Sequence, residues 1–247
     1  MVSRPAPQHR SSEGSSPGRQ TLDAVLFDFD GTVPETESVL QATWTDEYAL
    51  AGHCLAPEDW ASQTGRRHVD HYEILATLVG PSFDAEACRT RRRSSQDELL
   101  RDLGPRPGIV EALSFCRERG IRTAVVSSSP RDWVVVQLGR CGLRHHFDAL
   151  ICREDVHATK PDPAPYLVAL DRLSVRPMSA VAVEDAPSGV VSALAAGIPC
   201  IAVPNDVTRH LAFPETARVL SDSADLPTAL SKYAGAHAEQ LRFSKQP

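Results

Sequence analysis

The sequence predicts an α/β fold: a doubly wound, Rossmann-like parallel sheet core carrying an inserted α-helical cap. Three observations predict it. Short, near-continuously apolar runs recur along the chain. Segments with helical spacing and helix stop signs stand between them. One long stretch after the first run has helical spacing and no convincing strand. Strands apolar throughout, rather than on alternate residues, belong to a sheet covered on both faces, and alternation with helices makes that sheet parallel.

Residues 1–20 are rich in Ser, Pro, Gly and Arg, with almost no large apolar residue. They are expected to form a disordered tail, because burial cannot offset their ordering entropy. The run AVLFDF at 24–29 reads as a buried strand, closed by Gly31. Similar runs stand at 123–127, 148–152, 180–184 and 199–203. Residues 107–119 open on a proline and stop at Gly120, the expected helix signs. Residues 131–141, 163–173 and 187–196 follow the same scheme. Residues 35–103 carry Trp44, Tyr48, Trp60, Tyr72 and Leu75 at helical spacings, with Gly52 and Gly80 as breakers. The division expected is a core of 21–34 and 104–235, a helical cap of 35–103, and a C-terminal tail of 236–247.

The chain has 247 residues, of which 42% are hydrophobic and 23% charged. That is ordinary globular usage and excludes a collagen-like or wholly disordered chain. A net charge of −6 gives no chain-wide attraction for nucleic acid. No apolar run approaches the ~18 residues of a membrane span, and the first twenty residues hold no apolar signal segment. The six cysteines are scattered without metal-ligand spacing, as expected for the thiols of a cytoplasmic protein. The expected partner is a small metabolite, with no nucleic acid and no membrane. A monomer and a homodimer are both compatible with the sequence.

Ligands of open parallel sheets bind beyond the carboxyl ends of the strands. After the first strand stand Asp28, Asp30, Gly31 and Thr32. Ser127, Ser128 and Ser129 follow the second. Lys160 lies in the loop after the third, and Glu184 and Asp185 end the fourth. So many carboxylates repel one another unless a cation joins them, and hard oxygen ligands suit Mg²⁺. A hydroxyl and an ammonium suit a phosphate. Lysine is scarce here, with three against twenty-three arginines, so Lys160 marks a place where a compact point charge is wanted. The residues alone therefore point to metal-assisted phosphoryl chemistry. Asp28 would be the nucleophile and Asp30 a proton carrier. Ser127 and Lys160, with Ser128 and Thr32 beside them, would hold the phosphoryl oxygens. Asp185, with Glu184, would hold Mg²⁺.

The segments LFDFDGT (26–32), VVSSSP (125–130), TKPDPAPY (159–166) and VAVEDAPSGV (181–190) resemble, in order and spacing, the four motifs of the haloacid dehalogenase superfamily of phosphatases and phosphomutases. The helical insertion resembles the cap of its β-phosphoglucomutase-like, sugar-phosphatase subgroup. The resemblance runs from residue 21 to about 230. It implies Asp28 as nucleophile and Asp30 as general acid/base whose carbonyl also reaches the metal. It implies Ser127 and Lys160 at the phosphate, and Glu184 and Asp185 at the metal.

Departures from the family's patterns narrow the reaction. Asp30 is present, where dehalogenases lack it. The cap has no lysine, which a phosphonate hydrolase needs for its Schiff base. A phosphomutase places a histidine four residues before the cap tryptophan; here that position is Leu40. The cap opens on PETE (34–37) in place of the commoner Asp-Ser-Glu. Hydrolysis is therefore expected, and the resemblance of the cap implies a small phosphorylated metabolite, a sugar or polyol phosphate, as substrate, with a sugar phosphomutase or a non-catalytic phospholigand binder as alternatives. Arg66, beside Arg67, is the cap residue expected to reach substrate. The run Arg91–Arg93 is expected to be a solvated helix face, and His53, His68 and His71 surface or interface residues rather than catalytic ones.

Overall fold

A computed structural model of the chain describes residues 21–63 and 70–243. Six strands form one parallel sheet: β1 (Ala24–Phe27), β2 (Arg122–Val126), β3 (Ala149–Ile151), β4 (Ala180–Glu184), β5 (Cys200–Ala202) and β6 (Arg218–Val219). Their order is β3-β2-β1-β4-β5-β6. From β1 the chain builds outward first through β2 and β3, then from β4 on the other side. The strand order thus reverses between β1 and β4, and ligands of such sheets bind beyond the carboxyl ends at that point.

Alternation of side chains along the strands splits the core in two. Val25 and Phe27 of β1 face a cluster closed by α5 (Ile109–Glu118), α6 (Arg131–Arg140) and α9 (Leu226–Phe243). Ala24 and Leu26 face the other cluster, closed by α7 (Ala164–Leu173) and α8 (Pro187–Ala195). The small alanines on this second face let those helices approach the sheet closely.

β6 and α9 were not foreseen. β6 is two residues long, both exposed, and carries no apolar run. The C-terminal tail expected from 236 is corrected as well, since the backbone stays helical to Phe243. Leu226, Ala229 and Leu230 anchor the start of α9 in the core, and the good helix formers of AHAEQLRF prolong a helix already nucleated. The tail expected at 1–20 lies outside the described residues. All six cysteines are free thiols, as expected. Among the described residues no helix is long and apolar enough to cross a membrane.

Between β1 and α5 the described residues form four α-helices and no strand assigned to the sheet: α1 (Glu37–Leu50), α2 (Pro57–Gln63), α3 (His71–Val79) and α4 (Ala85–Leu99). Asp70 and Asp84 cap α3 and α4 by accepting two backbone N–H bonds each. Trp44, Tyr48, Trp60 and Leu75 make an aromatic core, which Val207 of the sheet domain joins. Two expectations are corrected here. Arg92 is buried, with its guanidinium 3.6 Å from the ring centre of Trp44 and donating to the Tyr72 hydroxyl. Its neighbour Arg91 grips the buried Glu47 with two bonds. His71 is buried too, stacked on Trp60 and within 3.1 Å of the Tyr48 hydroxyl. Helical spacing puts the middle of the arginine run on the apolar face, where ring stacking compensates for lost water.

The chain enters and leaves this helical unit side by side, joined by an antiparallel bridge of Pro34 and Pro105. Arg106 locks the junction. Its guanidinium donates to the carbonyls of Gly31, Val203 and Pro204 at 2.5, 2.7 and 2.9 Å. Replacing it by alanine removes three bonds and leaves the Gly31 carbonyl with only a 3.4 Å bond from Asn205. Arg106→Ala is expected to lower the unfolding free energy in urea by about 3 kcal/mol, against a change within about 0.5 kcal/mol for the exposed Arg93→Ala.

Candidate active site

The site grows from the end of β1. Register places Phe27 opposite Val183 of β4, and the Asp28 amide donates to the Val183 carbonyl at 2.8 Å. Asp28 therefore emerges beside Glu184, and Asp185 follows one residue on. The turn after Asp30 needs glycine. Gly31 has φ +80, and a methyl there would collide with the Asp185 carboxylate and the Asn205 amide. Asn205, just beyond β5, donates to Asp185 Oδ2 at 2.7 Å, and its own carbonyl is held by the amides of Val207 and Thr208.

Lys160 reaches the same point from the loop between β3 and α7. Its Nζ lies 2.5 Å from Asp28 Oδ1 and 2.6 Å from Glu184 Oε1, with 1% of its side chain exposed. Burial works against its charge, but the two carboxylates outweigh burial and hold it above the ordinary lysine range. The Tyr166 hydroxyl also donates to Glu184 Oε1. Glu184 itself is pushed up to about 8 by burial, against the pull of Lys160. Its carboxylate fills the space over Gly189, where any Cβ would overlap it.

Ser127 follows β2 directly, buried, with its Oγ accepting the Ser129 amide at 3.0 Å. The Ser128 Oγ is buried and has no hydrogen-bond partner among the described residues, and the same holds for Thr32 Oγ1. Asp30 is the most heavily bonded carboxyl of the group. Thr36 Oγ1 and Trp133 Nε1 donate to its Oδ1 at 2.7 and 2.8 Å, and Ser129 Oγ to its Oδ2 at 2.5 Å. Burial raises its pKa, and these three donors oppose the rise. Glu37, in the first turn of α1, adds another buried carboxyl close to Gly31. Burial, and then Asp30 and Asp28, hold it well above the usual range.

The structure thus brings together Asp28, Asp30, Lys160, Glu184 and Asp185, with Ser127 at the neighbouring strand end. Arg66 lies outside the described residues, as do Arg67 and His68. Glu37, Trp133, Ser129, Tyr166 and Asn205 were missed as site residues. Tyr166 closes the TKPDPAPY segment, and Asn205 stands at the end of the fifth strand, so a strand-end reading carried one strand further finds it. Glu37 and Trp133 carry no such signal, because only folding sets them beside the turn.

One ligand oxygen each from Asp28, Glu184 and Asp185 can be chosen so that all lie within 4.8 Å of one another, and all three residues are buried. Burial, then the charges of Asp28, Glu37 and Glu184, drive the Asp185 pKa well above the carboxylate range. A hard divalent cation fits this donor set, since it relieves the repulsion and accepts oxygen ligands only.

A model of the haloacid dehalogenase-like hydrolase family matches residues 25–203. The chain belongs to the haloacid dehalogenase-like hydrolases. Hexitol phosphatase B of Escherichia coli (strain K12) is 31% identical over 191 residues, 75% of this chain and 85% of that protein. The phosphorylated carbohydrates phosphatase of Thermotoga maritima is 29% identical over 178 residues, 72% of this chain and 82% of its own. The crystal structure of CbbY from Rhodobacter sphaeroides in complex with phosphate superposes with a TM-score of 0.68 at 28% identity, covering 83% of this chain and 96% of that one. As a hydrolase of this family the protein is an enzyme.

The contact of Glu184 with Gly189 gives a direct test. Gly189→Ala must displace the carboxylate from Lys160 and Tyr166. It is expected to lower the unfolding free energy by at least about 2 kcal/mol. Gly139→Ala, in α6 with open space around it, should be neutral or stabilising by about 0.5–1 kcal/mol. Urea denaturation of the two variants checks both outcomes.

Proposed function

We propose that the protein is a Mg²⁺-dependent phosphatase that hydrolyses a small sugar or polyol phosphate through an aspartyl phosphate on Asp28. The observation that carries this reading is the buried Lys160 ammonium, in contact with Asp28 and Glu184 and next to Asp185. It offers a nucleophile, a phosphate-neutralising cation and a metal donor set at one strand crevice. In this reading residues 35–103 act as a cap over a core of 21–34 and 104–235.

Asp28 attacks phosphorus through a carboxylate oxygen, and the bond to the alcohol oxygen breaks. Asp30 gives its proton to that oxygen as the alcohol leaves. In the second half Asp30, now a carboxylate, takes a proton from water as the water oxygen attacks phosphorus, and Asp28 is released with inorganic phosphate. Lys160 and Ser127 hold the phosphoryl oxygens while negative charge builds on them. Asp28, Glu184, Asp185 and the Asp30 carbonyl would hold Mg²⁺, which supplies Lewis-acid neutralisation of the phosphoryl group.

The substrate class rests on relatives named for hexitol and phosphorylated-carbohydrate phosphatase activity. The mutase alternative lacks support at Leu40, which packs against the aromatic cluster and carries no group able to move a proton.

The test is phosphate release from a panel of sugar, polyol and nucleotide monophosphates, with and without Mg²⁺. The expected result is selective release from a sugar or polyol phosphate that excess chelator stops. Asp28→Asn should reduce turnover by a factor of at least about 10³ while the protein stays folded. Hydrolysis undiminished in that variant removes the nucleophile assignment, and full activity in chelator removes the metal.

A further inference from the structure

We propose that Trp133 is a positioning residue for Asp30, holding its carboxyl group where it can exchange a proton with the phosphoester oxygen. The proposal deepens the reading above and rests on the acid/base role of Asp30 given there.

Asp30 stands in a turn, and a short side chain there has several rotamers open to it. Three donors select one. Thr36 belongs to the junction with the helical unit. Trp133 and Ser129 belong to the core, both in the segment that follows β2. Trp133 lies in the first turn of α6, and its partly buried ring packs against the larger core cluster. The indole is therefore anchored by its apolar body and presents its single polar group to Asp30. The same segment carries Ser127, whose Oγ accepts the Ser129 amide. One stretch of backbone thus sets the phosphate-facing hydroxyl and two of the three donors to the acid/base.

The donors differ in kind. An indole N–H donates and never accepts, whereas a hydroxyl does both and can rotate. Trp133 thereby keeps Oδ1 as a fixed acceptor. Oδ2, whose partner is the Ser129 hydroxyl, is left as the oxygen that trades a proton with the substrate.

The test separates acid assistance from packing by the leaving group. Trp133→Phe keeps an aromatic ring against the core and removes the N–H together with part of the indole's bulk, and the two controls below read the loss of bulk separately. A sugar or polyol alkoxide needs a proton to leave, and p-nitrophenolate does not. In single-turnover experiments, Trp133→Phe should slow release of the alcohol from the panel's best sugar or polyol phosphate by about tenfold or more. Release of p-nitrophenolate from p-nitrophenyl phosphate should stay within about twofold of wild type. Affinity for beryllium trifluoride with Mg²⁺, which reports on Asp28 and Lys160, should be unchanged. Equal slowing with both substrates, or a parallel loss of beryllium trifluoride affinity, overturns the proposal in favour of a packing role. No slowing with either also overturns it. Asp30→Asn is measured alongside. If that variant shows no dependence on the leaving group, the acid/base reading of Asp30 fails, and that failure is distinct from a failure of Trp133 alone.

Discussion

Placing the Lys160 ammonium out of contact with water costs several kcal/mol unless opposite charges meet it there. Asp28 and Glu184 meet it at 2.5 and 2.6 Å. The rest of the core depends on that arrangement. The two carboxylates must stand side by side, so β1 and β4 must be neighbours in register. Glu184 must turn toward the lysine, so the first turn of α8 must carry Gly189. Tyr166 must complete the acceptor, so α7 must lie under the sheet with its phenol directed at the crevice. The interaction is satisfied within the protein, with one buried ammonium between two carboxylates.

The same economy of place governs the charge balance. Asp28, Asp30, Glu37, Glu184 and Asp185 all converge near one turn, and burial raises four of them, Asp30, Glu37, Glu184 and Asp185, above their ordinary pKa values. A fold selected for stability alone would replace such a cluster with apolar residues. Its retention at the point where the strand order reverses fits a site that recruits a cation and an anion together. The surrounding frame is correspondingly rigid. Arg106 ties three carbonyls at the entrance to the helical unit, and Asn205 locks its own loop while holding Asp185.

The helical unit follows a different logic. Its core is made of aromatic rings, with His71 and Arg92 among them. Flat rings and a planar guanidinium stack well in a small volume where aliphatic side chains would leave gaps. It meets the turn at Asp30 and Gly31 through Thr36 and Glu37, both at the start of α1.

By itself the sequence determined the parallel sheet, the helical insertion and the strand-end residues Asp28, Asp30, Ser127, Lys160, Glu184 and Asp185. These are written locally: apolar runs mark buried strands, and strand ends mark the ligand side. β6 and the length of α9 were not legible, because a two-residue exposed strand has no apolar signal and a helix extended beyond its anchor relies on that anchor. The burial of Arg92 and His71 was hidden for a related reason, since a charged or polar residue reads as exposed until the rings that shelter it are assembled. Tertiary structure alone decided the partners. Trp133 reaches Asp30 across 103 positions and Lys160 reaches Asp28 across 132. Contacts of that separation follow from sheet order and helix packing, which no local pattern encodes.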